Sequence, residues 1–276
     1  MSRLGVIRLT RENEAAALAF LSQYPINNAF LIWLIQRDRS PATRLAIFVC
    51  SQDACVVGVA YFGPQVVLAA KSDTEAVASF AHLAQGYRGE RMIVASRATA
   101  RSYWEAVRAW HVRPRVIRDI QPLLTVDRGN LRGDQSDVGV RCAQLSEVDE
   151  IAANSAQMIA GELEYDPRQF TPEYTANVRR MIERRLWWLG ERDGNRFFYC
   201  HIGAQTDATL QLQGIWTPPK WRGRGLASAA LAGVCSRLLT QTPTISLYVN
   251  DFNTPALRLY DRVGFTKIGE LSTYLF

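Results

Sequence analysis

The chain is 276 residues long, 48% of them apolar and 21% charged, which supplies cores for two ordinary domains and excludes a disordered or fibrous chain. Its net charge of +6 is uneven: residues 138–276 hold 15 basic and 14 acidic side chains, and residues 1–137 hold 17 and 12. Cys50, Cys55, Cys142, Cys200 and Cys235 are scattered, with no C-x-x-C pair and no Cys/His cluster at metal-ligand spacing, so reduced core thiols and no metal are expected.

The N-terminus carries Arg3 and Arg8 but no unbroken apolar segment behind them. Neither a signal peptide nor a spanning helix is expected, and the chain reads as cytoplasmic. Periodicity predicts a helix around Glu12 to Tyr24, then strands near Leu45 to Cys50, Val56 to Phe62 and Val66 to Ala70. A helix from Thr74 to Gln85, a strand at Arg91 to Ala95, a helix from Thr99 to Trp110 and a last strand before Val126 follow. The arginines here (Arg88, Arg91, Arg97, Arg101, Arg108, Arg113, Arg115, Arg118) are mixed with apolar and aromatic residues rather than set in a run. That argues against nucleic acid and for solvated helix faces or a surface attracting a small polyanion.

The polar stretch Asp127 to Asp137 is the expected boundary, giving an N-terminal α/β domain over 1–127 and a second domain over 138–276. Beyond it the pattern predicts a strand over Val138 to Gln144 and a helix from Ser146 to Ala160, with Ser146 as N-cap and Asp149 completing a variant capping box. A helix from Thr171 to Arg185, with Pro172 in its first turn, precedes strands over Leu186 to Arg192, Phe197 to Ala204 and Thr209 to Trp216. Asp193-Gly194 suits a hairpin turn between the first two strands. In the third, Leu210 and Leu212 alternate with Gln211 and Gln213, the period of a half-buried strand.

Ile215-Trp-Thr-Pro-Pro-Lys-Trp-Arg-Gly-Arg-Gly-Leu-Ala227 then turns from that strand into an Ala-rich helix running to about Leu239. Gly223 and Gly225 let the backbone approach an anion, the first free amides of the helix near Leu226 carry the positive end of its dipole, and Arg222 and Arg224 add full charge. The helix should face the sheet with Leu226, Ala230, Val234 and Leu238, while Ala227, Ala229 and Ala232 permit close packing. The spacing is neither the G-x-x-x-x-G-K-[ST] phosphate loop nor the G-x-G-x-x-G dinucleotide fingerprint. Downstream, Tyr248 to Asp251 reads as the close of a strand, and Asn253-Thr-Pro-Ala-Leu-Arg-Leu-Tyr260-Asp-Arg-Val-Gly264-Phe265 follows.

Arg222-Gly-Arg-Gly225-Leu-Ala227 resembles the Q/R-x-x-G-x-G/A signature of the GNAT acetyltransferase superfamily, and the Asn253 to Phe265 segment resembles its N-x-x-A-x-x-L-Y-x-x-x-G-F signature. The two occur in that order with room between for one helix and one strand. The resemblance implies an α/β fold with a mixed, mostly antiparallel sheet flanked by helices, and acetyl-CoA as co-substrate. It also implies a tandem form, the N-terminal half repeating the element order without its phosphate loop, although a generic α/β cap domain fits the same pattern.

On that resemblance, Ile215, Trp216, Thr217, Arg222, Gly223, Arg224, Gly225, Leu226, Ala227, Asn253 and Tyr260 bind the co-substrate. Main-chain atoms of Ile215 and Thr217 take the pantetheine arm, and Tyr260 stands beside the sulfur as a catalytic residue, its hydroxyl either protonating the leaving thiolate or orienting it by hydrogen bonding. Asn253 also reads as a helix N-cap, and Tyr260 lies on an apolar stripe with Ala256, Leu259 and Val263, the pattern of a core tyrosine. Members of the family carry a glutamate on the strand before the phosphate loop, where this chain has Gln211 and Gln213. The base candidates are therefore Glu162 and Glu164, which otherwise read as solvated charge, or a water wire ending at Tyr274 or the Phe276 carboxylate. The reading is acetyl transfer to the primary amine of a small molecule or a protein by direct attack, against an acyl-CoA-sensing module that binds without turnover and meets a partner through its basic N-terminal half. No membrane association is implied, and oligomeric state is left open. Trp187, Trp188, Trp216 and Trp221 read either as acceptor-pocket walls or as core.

Overall fold

The computed structural model describes residues 4–37, 40–70, 75–87, 91–133, 138–163, 166–170 and 173–276. The chain forms two compact units, one of residues 1–124, 248–253 and 267–276, the other of residues 125–247 and 254–266. The expected mixed, mostly antiparallel α/β architecture is observed in each.

The first unit opens with β1 (Leu4–Arg8), α1 (Glu14–Leu21), α2 (Ala29–Arg37) and α3 (Pro41–Leu45). The sheet continues with β2 (Ile47–Gln52), β3 (Cys55–Phe62) and β4 (Val66–Ala70), then α4 (Glu75–Ala84), β5 (Met92–Ser96), α5 (Arg97–Val107) and β6 (Val116–Asp127). Thr74, expected to open α4, lies outside the described residues. Strands β1 to β4 pair antiparallel in sequence order, and β4 pairs β5 in parallel across the α4 crossover. One face packs Phe80 and Tyr103 from α4 and α5, and the other packs Leu21, Leu31 and Ile35 from α1 and α2. The sequence reading missed β1, α2 and α3. Helix α2 (AFLIWLIQR) is apolar almost all round, which hides a helical period.

The second unit follows as β7 (Gly139–Cys142), α6 (Val148–Leu163), α7 (Pro167–Phe170), α8 (Tyr174–Glu183), β8 (Trp187–Arg192), β9 (Asn195–Gln205), β10 (Thr209–Trp216), α9 (Leu226–Leu238), β11 (Thr244–Tyr248) and α10 (Thr254–Val263). Strands β7 to β10 are antiparallel neighbours, and β11 joins β10 in parallel. The last strand, β12 (Thr266–Leu275), lies in the first unit between β5 and β6, although it ends the sequence.

Helix α9 covers one face of the second sheet with the expected stripe: Leu226, Ala230, Val234 and Leu238 are all buried. Glycines let it sit close, since a side-chain carbon on Gly190 would come within 2.8 Å of the Ala230 methyl. The opposite face carries α6 and α8, with Ile151, Val178 and Ile182 packed on Trp187, Leu189 and Tyr199.

The start of α6 differs from expectation. Gln144, not Ser146, caps a short 3₁₀ turn over Leu145–Glu147, and Glu147 rather than Asp149 closes the capping box, its carboxylate accepting from the Gln144 N–H at 2.7 Å. Glu147 is preferred because it also meets two guanidinium groups, Arg141 at 2.7 Å and Arg196 at 3.2 Å. Arg196 further binds Glu150 at 2.5 Å, and the Tyr199 hydroxyl donates to Glu150 at 2.7 Å. This network ties the base of α6 to β7 and β9, which directs its far end across the sheet. Pro172 lies outside the described residues. The strand expected to close over Tyr248 to Asp251 ends at the first of these residues: β11 stops at Tyr248, and Asp251 begins a turn.

Candidate active site

Beyond Trp216, Pro218 and Pro219 lead through a short 3₁₀ stretch, Pro219–Trp221, into the glycine-arginine turn. Gly223 and Gly225 both adopt left-handed backbone angles, φ 74° and 75°, while a side-chain carbon on either would meet open space. The backbone, not crowding, demands glycine there, since an L-residue held in that region costs about 1–2 kcal/mol. Arg224 between them keeps negative φ, an alternation of hand that gathers main-chain N–H groups into a nest.

Among the described residues, no main-chain carbonyl accepts from the N–H groups of Gly223, Arg224, Gly225, Leu226 or Ala227; the first bond of the helix is Ser228 to Gly225, at 3.1 Å. Gly225 is the N-cap and offers no side chain to those donors. Open amides, the positive end of a 13-residue helix and two exposed arginines therefore coincide, which is the chemistry that binds a diphosphate. Arg222 lies back along β10, its Nε donating to the Thr217 carbonyl at 2.9 Å and its guanidinium 4.4 Å from the centre of the Trp216 ring. Arg224 sits 5.3 Å from the Trp221 ring.

The strand leading to this turn is open on one side. Its ladder to β11 runs from Thr209 to Gln211 against Thr244 to Ser246, and β10 continues from Leu212 to Trp216 beyond it. On the other side, β9 pairs Gln213 with His201 and Trp216 with Tyr199, so one extra residue bulges between, with Gly214 at φ 61°. Ile215 and Trp216 thus present strand backbone beside the turn. The Thr217 carbonyl, expected to serve the same purpose, is already taken by Arg222.

Tyr260, in α10, is 6% exposed and stacks at a tilt on Phe265, ring centres 5.8 Å apart. Burial, reinforced by the charge of Glu162, pushes its hydroxyl well above the ordinary tyrosine range, so it stays protonated and able to donate. Glu162 is exposed in the last turn of α6, which extends farther than its expected end at Ala160. Glu164 lies outside the described residues. Gln211 is buried, while the Gln213 carboxamide fills the space beside Gly203. Asn253 belongs to the first unit, where its N–H donates to the Asn250 carbonyl at 3.0 Å. Tyr274 is also in the first unit, stacked 5.5 Å from Trp104. Trp187 and Trp188 are buried in β8, and Trp216 and Trp221 are half-buried.

Sequence reasoning passed over Gly214 and His201. The imidazole is held on β9 against Trp187, ring centres 4.7 Å apart, and occupies the room that glycine at 214 leaves, with Cδ2 and Nε2 2.8 and 3.0 Å from where a side-chain carbon would stand. A glycine inside an otherwise alternating strand was the available signal for the bulge.

Residues 204–275 match the family described as FR47-like protein, and residues 46–151 match a domain of unknown function, DUF4081. A mycothiol acetyltransferase of Acidimicrobium ferrooxidans is 39% identical over 94 residues, 30% of this chain and 30% of that relative. The chain thus spans under a third of that relative's length. Among solved structures, a GNAT-family acetyltransferase from Colwellia psychrerythraea has a TM-score of 0.57 at 14% identity, covering 99% of each chain. A tandem GNAT protein from the clavulanic acid biosynthesis pathway has a TM-score of 0.61 at 12% identity, covering 99% of this chain and 98% of that one. At such identities these two matches concern the fold, and they extend over both halves. The C-terminal region thus carries an FR47-like GNAT domain, and the chain as a whole has the fold of GNAT structures, the tandem form included.

Proposed function

We propose that the chain transfers an acetyl group from acetyl-CoA to a primary amine by direct attack within a ternary complex, the sequence dividing at 127–138 into a degenerate GNAT-like domain and a transferase domain. The observation that carries this reading is the set of open amides from Gly223 to Ala227 at the start of α9. They fit a diphosphate, and Arg222 and Arg224 add charge at its rim. When bound, acetyl-CoA supplies the activated acyl group. Main-chain groups of Ile215 and Trp216 hold the arm that carries it and can polarise the acyl oxygen. The protonated Tyr260 hydroxyl stabilises the departing thiolate by hydrogen bonding; with its proton held more tightly than a thiol's ordinary ~8.5, it has little tendency to give that proton away. Gln211 and Gln213 cannot take a proton, and Glu162 at the solvent end of α6 offers protons a route to water.

The acetyltransferase names of the sequence relatives support the reading. Free-thiol release from acetyl-CoA with a panel of primary amines tests it: amine-dependent turnover is expected, whereas saturable binding with no turnover would favour a sensor.

A further inference from the structure

The acetyl-transfer reading leaves the attacking nitrogen without an assigned proton acceptor, and the second unit contains a group suited to that task. His201 faces the β10 bulge, directly before the strand segment Ile215–Trp216 that would hold the acyl group. Strand register sets it between Trp187 on β8 and Gln213 on β10. Its neighbours are the Trp187 ring, Gly214 and, beyond that glycine, the Met158 methyl of α6.

Three polar atoms on this face, His201 Nδ1, Trp187 Nε1 and Trp216 Nε1, are buried with no hydrogen-bond partner among the described residues. Buried polar groups are ordinarily paired with protein or water, so these indoles and this imidazole keep polar atoms free to meet a polar guest. The Ile202 main chain pulls the other way and offsets part of the effect of burial on the imidazole.

We infer that His201 is the group that takes the proton from the acceptor amine as it attacks, an assignment that rests on the acetyl-transfer reading. The nitrogen forms a bond to the acyl carbon and gives a proton to the imidazole, directly or through one water. The carbon–sulfur bond breaks, and the sulfur leaves with the electron pair, steadied by the Tyr260 hydroxyl, and takes a proton from solvent. The imidazolium then returns its proton to water.

Burial lowers the imidazole's proton affinity to about 4, so the ring is neutral and able to accept throughout the ordinary working range. Among the described residues, no charged side chain opposes that shift. On its own strand Tyr199 is tied to Glu150, which Arg196 neutralises; on α6 Glu162 is exposed at the helix end; Trp187, Gly214 and Gln213 carry no charge. An ammonium near ~10.4 has no lone pair to attack with, so the amine gives its first proton to water and reacts in its neutral form; the ring takes the second proton, which the nitrogen holds weakly once the carbon–nitrogen bond forms.

The experiment compares wild type, His201→Gln, His201→Ala and the control His82→Gln, altered at an exposed site on α4. Expected results are a kcat lower by about a hundredfold in both His201 variants, acetyl-CoA affinity within about twofold of wild type, and partial rescue of His201→Ala by added imidazole. Labelled-histidine NMR of the free protein, whose histidines number 3, should show His201 titrating far below the ordinary 6.5. Unchanged kcat in His201→Gln while wild type turns over would overturn the assignment. Wild type that binds acetyl-CoA yet releases no thiol with any amine sinks the acetyl-transfer reading itself. If both variants fail to fold, the pH profile of wild-type kcat/KM decides: a limb that falls at the value found for His201 by NMR supports the assignment, and a profile without that limb overturns it.

Discussion

Gly225 shows how little side-chain chemistry the proposed binding site needs. Nothing crowds it, yet φ 75° makes it the residue that turns the chain so that the following amides stay open. Gly225→Ala should lower stability by about 1 kcal/mol and weaken acetyl-CoA binding at least tenfold, read by thermal melts and calorimetry. Tyr260 works differently. Its hydroxyl is held protonated by burial, so Tyr260→Phe should cut kcat about tenfold or more with binding unchanged, and no loss of activity from its ionisation should appear below pH 10. Single-turnover kinetics would check the split between chemistry and binding. Both residues were legible in the sequence because each lies in a motif with fixed spacing. His201 was not, since a lone histidine in an apolar strand carries no local mark of the bulge that faces it.

At the scale of elements, the carboxylates at the base of α6 decide how firmly that helix is held. Arg141 draws the Glu147 carboxyl below its ordinary 4.5, and Arg196 does the same for Glu150. A lowered folded-state value means stability that is fully present above pH 4.5 and is lost as pH falls through the folded values. Denaturant midpoints should therefore be flat from neutral pH to about 5 and fall below it. Glu147→Gln should flatten that acid limb and cost about 2 kcal/mol at neutral pH, less than a fully buried pair because both arginines keep some solvent. The bulge is a second such element. Gly214→Ala must press on the His201 ring and force a left-handed alanine, costing about 1–3 kcal/mol. Strand identities here came readily from alternation, as with Leu210 and Leu212. The capping box was misplaced from Gln144 to Ser146 because the sequence could not show that Glu147 would be claimed by arginines from β7 and β9.

The whole molecule answers to a longer-range rule. Strand β12 pairs with β5, from Leu271 opposite Ser96 to Leu275 opposite Met92, so the end of the chain completes the first unit's sheet. Nothing in the local sequence announces that partnership, because strand pairing is set by packing at a distance rather than by propensity. Residues 138–276 expressed alone would expose the apolar side of β12, with Leu271 and Leu275, and should aggregate where the full chain stays monodisperse in size-exclusion chromatography.

The account stands on the amides between Gly223 and Ala227. Calorimetric titration of acetyl-CoA into the full chain and into the Arg222→Glu/Gly225→Asp variant tests them most directly. Saturable one-site binding to the wild type, abolished in a variant that keeps its circular dichroism, is the predicted result. Equal affinity in the two proteins would contradict it.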